Sequence, residues 1–152
     1  TFRRVVPYMR PFETSSMTAP PSLLIVDDDA FDTRFISNAI HKADDSIQLE
    51  FARDGADAIK RLEDGPRPKI ILTDLNMPRM NGHELIRRLR DHKEWKKIPT
   101  IVLSTSTDQK DVDLSYEFHA NAYLSKPDNL SGYDEIGAFI KSFWLEHVRL
   151  PS

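Results

Sequence analysis

Acidic, hydroxyl and lysine side chains follow short apolar segments at four separate points of the sequence. Carboxylates that share one site repel each other and raise each other's pKa unless a cation lies between them. Mg²⁺ takes oxygen ligands and keeps several of its waters, so it suits such a site. A lysine and a hydroxyl beside it would bind phosphoryl oxygens, and the set predicts phosphoryl transfer to a carboxylate nucleophile. The residues are Asp27, Asp28, Asp29, Asp74, Ser104, Thr105 and Lys126.

The elements that must position these residues follow from the hydrophobic pattern. Short aliphatic segments alternate with amphipathic stretches, which is typical of repeated βα units around a parallel sheet. In a doubly wound sheet, ligands bind at the carboxyl ends of the strands, so the reactive residues should meet at one edge. We predict an α/β fold with five strands, at 23–26, 47–51, 69–73, 100–103 and 122–125.

Taken singly, each of these residues has an ordinary structural explanation. Asp27 to Asp29 alone more often form a turn and a helix N-cap, and Asp29 or Asp32 is expected to be that cap. A serine commonly ends a strand, and a lysine before a proline can be a surface residue. The joint occurrence of all four groups at predicted strand ends favours a functional site.

The last predicted helix runs from about Asp128 to Val148 and is longer than a domain of this size needs. At roughly 20 residues it would span about 30 Å. Part of its apolar stripe should therefore lie beyond the sheet and provide a dimer or partner surface. The residues expected on this surface are Tyr133, Phe139, Phe143 and Trp144.

Length and composition exclude several classes of protein. The chain has 152 residues, about one domain, with 39% hydrophobic and 30% charged residues and a net charge of −3. No apolar run approaches the roughly 20 residues of a membrane span. The net charge gives no overall attraction to nucleic acid or anionic lipid. The absence of cysteine excludes disulfides and thiol nucleophiles and suits a cytoplasmic protein.

Residues 1–21 differ from the rest of the chain. They contain four of the ten prolines and show no helical or strand period. We interpret this segment as a disordered tail, as sequence upstream of a native start at Met17, or as an expression remnant. Residues 22–152 are predicted to form the folded domain.

Four dispersed motifs resemble the receiver domain of two-component response regulators over about residues 22–148. The resemblance implies a flavodoxin-like (βα)5 fold with strand order 2-1-3-4-5 and an extended C-terminal helix. It also implies a protein that signals by accepting phosphate and is not an enzyme beyond its own phosphorylation and dephosphorylation. The motifs are Leu24-Ile25-Val26-Asp27-Asp28-Asp29, the segment from Ile71 to Gly82 around Asp74, Ser104-Thr105 and Lys126-Pro127.

The resemblance also implies a role for each residue of the site. Asp74 would be the phosphoacceptor. Asp28, Asp74 and the backbone carbonyl of Asn76 would bind Mg²⁺, or Mn²⁺ in its place, and Asp27 would hold the ion through water. Ser104, followed by Thr105, would contact the phosphoryl group.

Three further expectations concern the fifth strand and the loop after it. Lys126 would pair with the phosphate, and a cis peptide bond before Pro127 would set its position. Tyr123 would be an aromatic switch residue that turns inward on phosphorylation, and Thr105 would crowd its route.

Shorter motifs near the C-terminal end resemble the stand-alone receivers that pair with bacterial phytochromes. This likeness implies a sensor histidine kinase as partner, a bacteriophytochrome in particular, or a histidine phosphotransfer protein. It further implies a homodimer. From the length of the chain we expect no DNA-binding domain after Val148, and from its short apolar runs we expect no association with membranes. The motifs are Lys97-Ile98-Pro99, Ser104-Thr105-Ser106, Asn121-Ala122-Tyr123-Leu124 and the segment from Phe143 to Pro151.

Two alternative functions remain open at the level of sequence. A phosphatase of the haloacid dehalogenase type would use Asp27 as nucleophile and Asp29 as acid/base partner, although no acidic pair follows Lys126 at a plausible strand end. A receiver-like module that binds partners without phosphorylation is the second alternative, although the full acceptor set is present.

Overall fold

The computed structural model of the protein describes residues 21–152. Five strands form one parallel sheet in the order β2-β1-β3-β4-β5, so the predicted fold class and strand order are confirmed. The predicted N-terminal tail lies outside the described residues except for Pro21. The strands are β1 (Ser22–Val26), β2 (Gln48–Ala52), β3 (Ile70–Thr73), β4 (Thr100–Ser104) and β5 (Ala122–Ser125).

A helix follows each strand, and a polar side chain caps the start of every one of them. Asp29 acts as a cap, as the sequence predicts, Asp108 acts as another, and Asn81 forms a capping box with Glu84. A 3₁₀ turn at Trp95–Lys97 precedes β4. The helices are α1 (Ala30–Ala43), α2 (Gly55–Asp64), α3 (Gly82–Asp91), α4 (Gln109–Glu117) and α5 (Leu130–Phe139).

The sheet is covered on both faces, in keeping with the apolar and buried residues 23–26 of β1. Because side chains alternate along a strand, Leu23 and Ile25 pack on the side of α1 and α5, while Leu24 and Val26 pack on the side of α2 and α3. Each fully buried aliphatic side chain contributes about 1.5–3 kcal/mol to folding. The strands are thereby held firmly, and their carboxyl ends form a rigid edge.

The helices α1 and α5 approach each other closely at Gly137. A Cβ atom there would lie 2.5 Å from the Ala39 backbone carbonyl, so a larger residue would push the helices apart. Tyr133 fills the same interface, is 4% exposed, and packs its ring 5.5 Å from that of Phe35. The prediction that Tyr133 belongs to a dimer or partner surface is therefore wrong, because its ring is part of the core.

The C-terminal helix differs from the single α-helix predicted over 128–148. After α5 the chain continues as a π-helical segment, Ile140–His147, and Val148 N donates to Phe143 O at 2.8 Å, five residues back. Since a π turn holds more residues than an α turn, the apolar positions shift around the helix axis. Trp144 is half-buried and packs against the core, whereas Phe139 and Phe143 are 46% and 43% exposed.

No helix within residues 21–152 combines the length and apolar character that a membrane span would require.

Candidate phosphoacceptor and metal site

The carboxyl ends of β1 and β3 bring the acidic residues together. These strands pair directly, with Val26 opposite Thr73, and Asp74 N donates to Val26 O at 2.9 Å. The strand order reverses at β1, which lies between β2 and β3, and ligands bind at such a switch point. Oxygen atoms of Asp27, Asp28 and Asp74 all lie within 4.8 Å of one another.

The three carboxylates fit a hard divalent cation. The side chains of Asp27 and Asp74 are 8% and 11% exposed, while Asp28 is exposed to solvent, so an ion held here would keep one face open to water. An all-oxygen donor set with room for waters is typical of Mg²⁺ and Mn²⁺ sites. Within residues 21–152 this is the one group of three or more acidic or histidine side chains close enough to share an ion. Asn76 is exposed in the loop after β3.

A single buried ammonium group lies among these acids. Lys126 Nζ is 2.8 Å from Asp27 Oδ2, 2.7 Å from Asp32 Oδ2 and 3.1 Å from Asp74 Oδ2, and its side chain is 4% exposed. Burial alone would lower the pKa of Lys126, but its hydrogen bonds to Asp27 and Asp32 outweigh burial and raise that pKa above its usual value. Lys126 is therefore a fixed positive charge beside Asp74.

Asp27 responds in the opposite way from an ordinary paired carboxylate. Burial raises the pKa of Asp27, and the charge of Asp74 adds to this, while hydrogen bonds from Lys126 and the Asp29 backbone N–H oppose it. The net effect is a raised pKa, because the loss of hydration on burial outweighs the hydrogen bonds from Lys126 and the Asp29 N–H. The site thus retains an excess of negative charge that a bound cation would offset.

Asp32 joins this group, although sequence reasoning considered it only as a possible helix cap. It lies in the first turn of α1, and its Oδ1 is 3.4 Å from the Tyr133 hydroxyl. Burial and the charge of Asp32 raise the pKa of Tyr133 to about 12, so the phenol stays protonated and can donate. The sequence signal that points to Asp32 is its position in the first turn of α1, the helix that begins just after Asp27 at the end of β1.

The loop after Asp74 packs closely against Asp74 itself. Leu75 N donates to Asp74 Oδ1 at 2.7 Å, and Gly82 N donates to Leu75 O at 2.8 Å. Gly82 lies so close to the Asp74 carbonyl that a Cβ atom would collide with it. Glycine is therefore required where the loop leads into α3.

A second ion pair fixes the same loop from outside. Arg79 Nε and Nη2 donate to Asp54 Oδ2 and Oδ1 at 2.7 and 3.0 Å, and Asp54 also caps α2 through Asp57 N. Arg79 has a φ of 63°, a conformation that is uncommon outside glycine. Burial alone would raise the pKa of Asp54, but hydrogen bonds from Arg79 and Asp57 N outweigh it and lower that pKa.

The hydroxyl and aromatic residues lie on β4 and β5. Ser104 is fully buried, its carbonyl accepts from Lys126 N at 2.9 Å, and its Oγ accepts from Ser106 N at 3.2 Å. Tyr123 is half-buried, and its hydroxyl donates to Ser106 O at 2.9 Å. The structure thus ties Tyr123 to the loop after Ser104, while Thr105 is exposed.

The peptide bond before Pro127 is trans, since residues 21–152 contain no cis peptide bond. The predicted cis peptide at Pro127 is therefore wrong for this structure. The energies of the two isomers before proline are close, so the Lys126-Pro127 sequence does not determine the choice. In the trans form the Lys126 ammonium already reaches all three carboxylates.

The geometry also bears on the phosphatase alternative. Asp29, which would have to act as the acid/base, accepts hydrogen bonds from Phe31 N and Asp32 N as the N-cap of α1. Asp27, the nucleophile in that alternative, is paired with Lys126. Both side chains are engaged in other contacts, and the geometry does not support this alternative.

Comparison with known proteins identifies the family to which this chain belongs. Residues 23–133 match the model of the response regulator receiver domain. The response regulator Rcp1 of Synechocystis sp. is 37% identical over 139 residues, which cover 88% of this chain and 95% of that protein. The crystal structure of its Mn²⁺-bound form has a TM-score of 0.80 and covers 88% of this chain and 100% of that chain.

Two further solved structures are similar over most of the chain. The phosphorylated cyanobacterial phytochrome response regulator RcpA is 34% identical, with a TM-score of 0.82, and covers 88% of this chain and 100% of its own. A response regulator in red light signaling of R. palustris is 32% identical, with a TM-score of 0.78, and covers 87% and 99%. The chain belongs to the response regulator receiver domain family.

Proposed function

We propose that this chain accepts a phosphoryl group on Asp74 from a sensor histidine kinase, with Mg²⁺ as cofactor, and that the acyl phosphate alters a surface that a partner reads. One observation carries the proposal. The buried Asp74 carboxylate contacts Lys126 at 3.1 Å and shares an oxygen cluster with Asp27 and Asp28, so nucleophile, counter-charge and cation ligands meet at one strand end.

The transfer is a displacement at phosphorus. An Asp74 carboxylate oxygen forms a bond to the phosphorus atom as the P–N bond to the donor histidine breaks, and the histidine nitrogen keeps the electron pair. Lys126 pairs with the phosphoryl oxygens, and Ser104 donates a hydrogen bond to one of them. Asp28, Asp74 and the Asn76 carbonyl would hold the divalent cation, with Asp27 holding it through water, and the cation would supply positive charge to the transferring group.

Similar proteins support the choice of cation and donor. The structure of Rcp1 contains Mn²⁺, RcpA is described as a phosphorylated phytochrome response regulator, and the R. palustris protein belongs to red light signaling. We therefore propose a phytochrome-type histidine kinase as the phosphoryl donor, with onward transfer to a histidine phosphotransfer protein as a second route. Loss of the phosphoryl group to water completes the cycle, and the setting is the cytoplasm.

The output surface lies on the α4 side of β5. Tyr123 contacts Ser106 O, and Ser106 Oγ donates to Asp111 Oδ2 at 2.6 Å, which links the Ser104 loop to the first turn of α4. Movement of Ser104 toward a phosphoryl group would therefore move Tyr123 and α4 together. Such a two-state element is what a phosphorylation switch requires.

We also propose a homodimer through the C-terminal helical segment. Phe139 and Phe143 stack with ring centroids 5.1 Å apart, both are more than 40% exposed, and Trp144 meets Phe143 edge-on at 5.7 Å. Aromatic residues are enriched at interfaces between proteins relative to the rest of the surface. Sedimentation of the double variant Phe139→Ser/Phe143→Ser should show a monomer, while a wild-type protein that is itself monomeric contradicts the proposal.

Acetyl phosphate with Mg²⁺ tests the phosphoacceptor. Intact-mass measurement should show one added phosphoryl group on the wild-type protein and none on Asp74→Asn. Asp54→Asn is the matched control, because it also neutralises a buried aspartate at the same edge and should still be phosphorylated. An added group that persists in Asp74→Asn would overturn the assignment, and no addition to the wild-type protein would favour a binding module that works without phosphate.

A further inference from the structure

Lys126 contacts one carboxylate, Asp32, that lies outside the oxygen cluster able to share a metal ion. The three N–H donors of its ammonium are distributed over Asp27, Asp32 and Asp74. Asp27 and Asp74 belong to the oxygen cluster that can share an ion, and Asp32 does not. Of the three acids that contact the ammonium, Asp32 is the one that is not also a candidate metal ligand.

Two cations compete for the remaining acids. A divalent ion at the Asp27, Asp28 and Asp74 oxygens and the Lys126 ammonium on two of the same side chains would repel each other across a few ångströms. The ammonium must then loosen its contacts with Asp27 and Asp74 while staying close enough to meet a phosphoryl oxygen. It needs one anion that stays in place throughout.

We propose that Asp32 is a positioning residue for phosphoryl transfer, which anchors the Lys126 ammonium while Asp27 and Asp74 are taken up by the cation and the phosphoryl group. The inference rests on the proposed function. In this proposal Asp32, on α1, assists the transfer by contacting Lys126, and the Tyr133 hydroxyl helps to hold the Asp32 carboxylate in place.

The surroundings of Asp32 suit an anchor. Its side chain is 25% exposed, and its Lys126 contact, at 2.7 Å, is the shortest of the three. The Tyr133 hydroxyl lies 3.4 Å from its other oxygen, and the Tyr133 ring is fixed in the α1–α5 core. Helix capping does not explain this residue, because Asp29 already caps α1.

The test compares Asp32→Asn with Asp128→Asn. Both changes remove one negative charge while keeping side-chain size, and Asp128 is exposed, follows Pro127 and lines the same surface pocket as Asp32. Without its anchor, the ammonium stays on Asp27 and Asp74 and opposes the cation. We expect Asp32→Asn to weaken Mn²⁺ binding by about fivefold in calorimetric titration, and Asp128→Asn by less than about twofold.

A double-mutant cycle with Lys126→Met separates anchoring from a simple loss of charge. If Asp32 acts through Lys126, then Asp32→Asn should change Mn²⁺ affinity far less in the Lys126→Met background than in the wild-type background. An undiminished effect there would overturn the proposal, and so would equal effects of Asp32→Asn and Asp128→Asn. Should Lys126→Met fail to fold, Lys126→Gln takes its place in the cycle.

Phosphorylation by acetyl phosphate at saturating Mn²⁺ provides the second readout. The rate should fall about fivefold in Asp32→Asn, and Asp32→Glu, which keeps the charge, should recover part of it. Unchanged rates in Asp32→Asn contradict a role in transfer. If the wild-type protein takes up no phosphate while the coupling to Mn²⁺ affinity persists, the proposed function fails and the anchoring of Lys126 stands.

Discussion

Two charged clusters lie at the same edge of the sheet and are built in opposite ways. The Lys126 cluster comprises Lys126, Asp27, Asp32 and Asp74, with an ammonium that is 4% exposed among three carboxylates. The Arg79–Asp54 pair comprises one carboxylate, 4% exposed, and one guanidinium that is 61% exposed. One cluster has an excess of negative charge, and the other is balanced.

The electrostatics of the two clusters differ accordingly. Asp54 receives hydrogen bonds on both oxygens from Arg79, and its pKa is lowered. Asp27 keeps a raised pKa even though Lys126 contacts it, because burial dominates and Asp74 adds to it. A balanced pair of this kind fixes a loop. An unbalanced cluster is costly in the resting protein and favours the entry of a cation, so the imbalance marks the functional site.

Replacing the positively charged side chain of each cluster should give the largest difference between the two clusters in the free energy of unfolding. Lys126→Met leaves three largely buried carboxylates without a counter-charge, and we expect a loss of about 2–3 kcal/mol in the free energy of unfolding at pH 7 in the presence of a chelator. Arg79→Met should cost less, because Asp54 keeps the backbone N–H of Asp57 as a partner. Urea denaturation of both variants provides the measurement. Equal losses would remove the distinction between the clusters.

Divalent-metal affinity should give the second largest difference between the two clusters. Asp28→Asn removes one of the three clustered carboxylates, and we expect Mn²⁺ binding to weaken by more than about tenfold, since affinity follows the charge of the ligands. Asp54→Asn should leave the affinity unchanged, because its carboxylate is neutralised by Arg79. Calorimetric titration of both variants tests this, and a loss of affinity in Asp54→Asn would contradict it.

The pH dependence of stability should have opposite signs in the two clusters. The folded pKa of Asp27 is raised above 3.8, so between pH 3.8 and the folded pKa the folded state keeps a proton that the unfolded state has lost. The stability of the protein therefore falls as pH rises through this range. Since the folded pKa of Asp54 is lowered, its contribution is complete above 3.8 and is lost as pH falls through the folded pKa.

Each asparagine variant removes one of these contributions. In chelator, the stability of the wild-type protein relative to Asp27→Asn should decrease from about pH 4 upward. Its stability relative to Asp54→Asn should increase from acid pH up to about pH 4. Urea titrations at a series of pH values provide the measurement, and parallel curves for the two variants would contradict the assignment of opposite shifts.

The fold and the placement of the main acids could be predicted from sequence because they depend on local patterns. An apolar, bounded segment such as Leu23–Val26 predicts a strand covered on both faces, and parallel strands bring Asp27 and Asp74 to one edge. The helix start at Asp29 also follows from cap chemistry.

Features that depend on side-chain reach and helix register could not be predicted in this way. The contact of Lys126 with Asp32 joins residues that lie 94 positions apart, and the Arg79–Asp54 pair joins a loop to a different helix start. Tyr133 was misassigned because a helical apolar stripe does not reveal which residues face α1. The π-helical segment after Ile140 then shifts the register of that stripe.

Direct mapping of the acyl phosphate tests the central claim. The wild-type protein should be incubated with acetyl phosphate and Mg²⁺, digested, and sequenced by mass spectrometry at low pH, with a chelator-treated sample as control. We predict a single phosphoryl group on Asp74 in the presence of Mg²⁺ and none with chelator. A phosphoryl group on Asp27, Asp32 or Asp54, or incorporation that does not depend on the metal, would contradict the account.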